Sequence, residues 1–108
     1  MKGDLEAKKE TLLKFADLLE PKREILNSID KTFSSDLFYL FNNFNLRHNN
    51  TDPSAKGKYK KAVAEMSNAE LEKWYDETYQ MCLLAFLRID HIDRKAAFDT
   101  IKDKIENS

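Results

Sequence analysis

SNAELEKWYDETYQMCLLAFLRI, residues 67–89, is the stretch on which the fold turns. Within it Leu71, Trp74, Tyr75, Thr78, Cys82, Ala85, Phe86 and Ile89 recur at i, i+3, i+4 and i+7 spacing, which sets them along one side of an α-helix. Met81, Leu84 and Leu87 make its later half apolar on most sides. Ser67 and Glu70 stand three residues apart at its start, the spacing of a capping box. This segment is predicted to be the longest helix and the anchor of the fold. Asp90 can cap a separate final helix, on which Ile92, Ala96, Phe98, Ile101 and Ile105 form a narrower stripe among dense charges.

Earlier in the chain the same period recurs. Leu5, Leu12, Phe15, Ala16 and Leu19 mark a first helix from Asp4 to Leu19. Pro21 removes a backbone donor and crowds the preceding turn, so a kink is expected there, with Ile25, Leu26 and Ile29 continuing the stripe beyond it. Thr32 to Asp36 supplies N-caps for a second major helix, whose stripe is Leu37, Leu40, Phe41 and Phe44, widened by Phe38 and Tyr39. That helix should end near residue 49, where Asn49 and Asn50 tolerate left-handed backbone and Asp52-Pro53 opposes continuation. Residues 50–57 read as a mobile surface loop, and Tyr59, Ala62, Val63 and Met66 as a short third helix.

The whole composition agrees with this pattern. Two glycines and two prolines in 108 residues leave few breaks, and helix formers dominate. The expectation is one all-α domain over residues 1–108, an antiparallel bundle of four to five helices. The aromatics Phe15, Phe38, Phe41, Phe44, Trp74, Tyr75, Tyr79 and Phe86 fall at the spacing of a core stripe rather than a stacking platform. Met1-Lys2-Gly3-Asp4-Leu5-Glu6 turns amphipathic and acidic where an export signal would be apolar. No apolar run approaches the ~18–20 residues of a membrane helix, and the single cysteine, Cys82, cannot pair within the chain. A cytoplasmic protein without membrane contact is therefore expected.

Net charge is −1, but residues 47–61 hold five basic side chains, Arg47, Lys56, Lys58, Lys60 and Lys61, against Asp52 alone. Such a patch either keeps a loop soluble or attracts phosphate, which makes the four lysines candidate RNA contacts. Glycine-rich phosphate loops, nucleophile elbows, zinc-protease helices and calcium loops are all missing, and the acidic pairs Asp76-Glu77 and Asp90-x-x-Asp93 lack a second liganding cluster. No metal or cofactor is called for. Cys82 sits on the apolar stripe as a small hydrophobe.

The remaining chemistry lies in Asn42-Asn43-Phe44-Asn45-Leu46-Arg47-His48-Asn49-Asn50. On a helix Asn43 and Arg47 share a face, and His48 lies one turn past Phe44. Arg47 and His48 can serve simply as favourable charges at a helix C-terminus, with Asn49 or Asn50 capping it. Alternatively His48 can take a proton from a ribose 2′-hydroxyl while Arg47 stabilises charge developing on phosphorus, a route to RNA cleavage that requires no metal.

Residues 33–89, with Asn43, Arg47 and His48 at the end of a central helix and a long apolar helix from Leu71 to Ile89, resemble the HEPN superfamily of prokaryotic defence and toxin proteins. The resemblance implies an all-helical dimer and metal-independent ribonuclease activity, with Arg47 and His48 as the catalytic pair and Asn43 supporting them. Other HEPN members lack activity and act as binding modules. A non-enzymatic protein-binding module of antitoxin, immunity or regulatory type is the second expectation, and a homodimer suits either.

Overall fold

The computed structural model describes residues 4–108; Met1-Lys2-Gly3, the start of the segment read above as lacking an export signal, lie outside the described residues. The described chain is all-α, with no strand. Helix α1 spans Leu5–Leu19, and the Asp4 carboxylate accepts the Ala7 N–H at 2.9 Å to cap it. At Pro21 a 3₁₀ turn, Glu20–Lys22, separates α1 from α2, Arg23–Ile29, a fuller break than the expected kink.

Helix α3 runs Lys31–Asn43 and starts earlier than the predicted caps. Asp30 is the cap, accepting the Phe33 N–H at 3.0 Å while its other oxygen meets Arg88 at 3.1 Å. Leu37, Phe38, Leu40 and Phe41 are buried on α3, Phe44 is half-buried and Tyr39 faces outward. A single turn, α4, Lys61–Ala64, carries buried Val63. Helix α5, Asn68–Glu106, has 39 residues, and Ser67 caps it by accepting the Glu70 N–H at 3.2 Å.

The separate final helix is thus corrected: Asp90 does not begin one. Its carboxylate instead accepts from Arg94 at 2.6 Å, four residues on in the same helix. With neither glycine nor proline after Gly57, nothing in the covalent chain stops propagation.

The ring and ion pairs define how the helices lie. Lys8 meets Glu72 and Asp76 at 3.0 and 2.7 Å, and two turns on Phe15 meets Tyr79 and Phe86 at ring separations of 5.6 and 5.4 Å. Numbers rise together, so α1 and α5 run in the same sense. Along α3 they oppose: Asp30 meets Arg88, whereas Phe44 packs on Trp74 at 6.1 Å. The long helices thus alternate along the chain: α3 runs against both α1 and α5, and α1 and α5 run together. The core joins Leu12, Ala16 and Leu19 of α1, Leu26 of α2, Leu37, Phe38 and Phe41 of α3, and Tyr75, Cys82 and Ala85 of α5. Phe38 and Phe41 meet edge to face at 5.5 Å.

The body accounts for only the first half of α5. From residue 90 to residue 108 every side chain is exposed. The described chain consequently extends 65 × 30 × 18 Å, because a 39-residue helix is about 58 Å long at 1.5 Å per residue. Among the described residues no helix is long and apolar enough to cross a membrane.

Candidate functional site

Two regions merit a functional reading: the polar segment after α3 and the uncovered face of α5. The first is built by asparagines. Helix α3 ends at Asn43, six residues before the predicted end, so Asn43 and Arg47 do not share a helical face. Asn45 takes a left-handed backbone, φ 56°. The Asn50 side-chain oxygen accepts the Asn45 N–H at 2.7 Å, and Asn45 returns the bond by accepting the Asn50 N–H at 3.2 Å. Asn50 Nδ2 donates to the carbonyls of Asn42 at 3.2 Å and Lys58 at 2.6 Å, and the Asn50 carbonyl accepts the Lys60 N–H at 2.8 Å. Asn50 is fully buried. These side-chain amides compete with helical continuation, which is why α3 stops here.

The carbonyls at the end of α3 are taken up one by one. Tyr39 O accepts from Asn43 Nδ2 at 2.9 Å, Leu40 O from the Phe44 N–H at 3.2 Å and Phe41 O from the Arg47 N–H at 3.0 Å. Tyr75 of α5 donates its hydroxyl to Phe44 O at 3.0 Å; burial, and then the charge of Glu6, push that hydroxyl's pKa up to about 12. Asn50 thus reaches back by its side chain to a helix that ends at Asn43, the left-handed residue is Asn45 where Asn49 or Asn50 was expected, and the predicted mobile loop is a clasped one. Asp52 adds a turn by accepting from Ser54 N–H and Oγ at 2.9 and 2.7 Å, which hold its carboxyl below the ordinary range, and Gly57 supplies a left-handed φ of 73°.

Arg47 points its guanidinium to Glu20 on the 3₁₀ turn, at 2.8 Å. His48 is half-buried, and its ring has no hydrogen bond or ion pair among the described residues. Asn43 spends its amide on its own helix. Lys56, Lys58, Lys60 and Lys61 are all exposed, with Lys61 near Glu65 at 3.8 Å. The fold thus places Lys56, Lys58 and Lys60 on one loop and Lys61 at the start of α4, and engages Asn43 and Arg47 with partners on different elements. Burial pushes the Cys82 thiol up to about 12, which suits its reading as a small hydrophobe.

The second region was divided in the sequence reading by the supposed break at Asp90. On one continuous helix Leu83, Leu84, Leu87, Phe98, Ile101 and Ile105 lie along a single side, facing away from α1 and α3. Leu87, Phe98, Ile101 and Ile105 are 49–66 % exposed, far more than large apolar side chains inside a core. Where α5 leaves the body, Ile29, Leu87, Arg88, His91, Ile92, Arg94 and Lys95 line an open cleft of about 510 Å³. No family model, curated protein or solved structure matches the chain. The signal that could have revealed this face is its spacing, which continues through residue 90 without a change of phase.

Proposed function

We propose that the chain is a non-enzymatic protein-binding module, of the antitoxin, immunity or regulatory kind, whose contact element is the outer half of α5. One observation carries the reading. A helix whose residues 90–108 are wholly exposed presents Phe98, Ile101 and Ile105 in line with Leu87. An apolar stripe of that length on a projecting helix is the form that helix-in-groove and helix-on-helix recognition takes. In the cell of origin, a benzophenone amino acid substituted at Phe98 is expected to cross-link to protein upon irradiation, whereas the same group at exposed Glu10 is not. Equal labelling from both positions, or none from either, would remove the reading.

The HEPN-like reading, RNA binding or metal-independent cleavage by a defence protein, draws support from a different feature. Lys56, Lys58 and Lys60 are exposed on a loop whose backbone Asn50 holds at Lys58 and Lys60, with exposed Lys61 next along at the start of α4, so a phosphate chain would meet charges already arrayed. For Arg47 to act on phosphate it would have to leave Glu20. Cleavage of labelled transfer RNA in excess chelator, lost in both Arg47→Ala and His48→Ala, is the outcome this reading requires.

A further inference from the structure

We infer that the apolar face of α5 receives the same face of a second copy of this chain, with the two helices running antiparallel. The inference rests on the reading of that face as the contact surface and names its occupant. Leu84, His91, Phe98 and Ile105 recur every seven residues, and Leu87, Arg94 and Ile101 stand three after each of the first three. These are the two seam positions of a coiled coil. All seven side chains are exposed on an uninterrupted helix, where Arg94 pairs with Asp90 of its own helix and the five apolar members remain 46–66 % exposed.

The polar layer decides between arrangements. A parallel pair would stack Arg94 on Arg94 and His91 on His91, like on like at the centre of the seam. An antiparallel pair sets the two seam positions against each other. In one register Leu84 faces Ile101 of the second copy, Leu87 faces Phe98, and His91 faces Arg94. The two-fold axis then repeats each contact, so every apolar residue from 84 to 101 meets an apolar one and the polar residues meet each other. Sliding by one heptad in either direction drives Arg94 against Leu84 or Phe98, so a single register satisfies the seam from 84 to 101, with Ile105 beyond it opposite Gln80.

Charge and area are compatible with this pairing. Arg88 and Lys95 of opposite copies approach one another beside the seam, but each already has a carboxylate of its own chain, Asp30 and Asp99. Residues 84–105 cover about 33 Å of helix. Each projecting half would lie along the back of the other copy's body, a contact on the scale of the ~800 Å² per partner that stable complexes bury.

The test is sedimentation equilibrium of the full chain up to several hundred micromolar, with circular dichroism to verify helicity. The parent should reach twice its 12.7 kDa, and Leu87→Glu and Phe98→Glu should each remain at 12.7 kDa with unchanged helix content. Orientation is read by mixing two single variants under oxidation. Leu84→Cys is expected to form a disulfide with Ile101→Cys and not with itself. A Leu84→Cys homodimer linked through that residue overturns the antiparallel pairing. A parent that stays monomeric overturns self-association, while cross-linking of Phe98 to a different protein in the same study would leave the contact-surface reading intact; loss of both signals removes the two together.

Discussion

Replacing Asn50 by alanine would strip hydrogen bonds from the Asn45 N–H and from the Asn42 and Lys58 carbonyls at once, in a place closed to solvent. Each buried group left without a partner costs about 1–3 kcal/mol, and some will relax toward water, so a loss of roughly 2–4 kcal/mol is expected in urea unfolding. Asn50→Asp should fare little better, because a carboxylate cannot donate to the two carbonyls. Ser34 is the opposite case: its hydroxyl is buried and finds no partner among the described residues. Ser34→Ala should be neutral or stabilising by about 1 kcal/mol in the same measurement, since the unmet desolvation is removed with the oxygen. Asp30 links residue chemistry to pH. The Phe33 N–H, and then the Arg88 guanidinium, hold its carboxyl below the ordinary 3.8. A depressed carboxyl stabilises the fold above its unfolded pKa and loses that contribution as pH falls through its folded one. Acid titration should therefore show stability falling below about 3.8, and Asp30→Asn should flatten that limb while lowering stability at neutral pH.

At the scale of elements, the sequence disclosed what periodicity can disclose and misjudged what depends on competition. The stripes of α1, α3 and the first half of α5, the break at Pro21 and the cap at Ser67 were all legible, because each rests on spacing or on a residue with one strong preference. Two boundaries were not. Asp90 favours caps in isolation, but within a helix it gains Arg94 four residues on, and no breaker forced a choice. After Asn43 the reverse happened: amides from Asn45 and Asn50, five residues apart, took over backbone groups that a helix would have used. The density of asparagine across residues 42–50 was the visible trace of that competition, yet which amide meets which carbonyl is a tertiary matter. The common face of Asn43 and Arg47, and the place of His48 one turn past Phe44, assumed a helix that in fact ends at Asn43. Continuity of α5 gives its own test. Ala96→Pro in dilute solution should reduce helical ellipticity while leaving the urea midpoint of the body within about 0.5 kcal/mol, because residues beyond 90 touch none of the core.

For the molecule as a whole, shape follows from that one helix. A radius of gyration of 17.9 Å exceeds the ~13 Å of a compact chain of this length, and the excess lies in the projecting half of α5. Helix of this kind obeys a nucleation law that the body has already satisfied. An isolated peptide of residues 90–106 would have to form its first turn unaided, a step disfavoured by a factor of about a thousand, and would be largely coil. Attached to α5 it only propagates, one hydrogen bond per residue fixed, so it should fray from its far end by degrees instead of melting at once. Amide exchange should accordingly quicken step by step from residue 90 toward residue 106 in dilute protein. Any partner seated near Ile105 would then reverse the gradient from the outer end, turning the length of the ordered helix into a graded readout of occupancy.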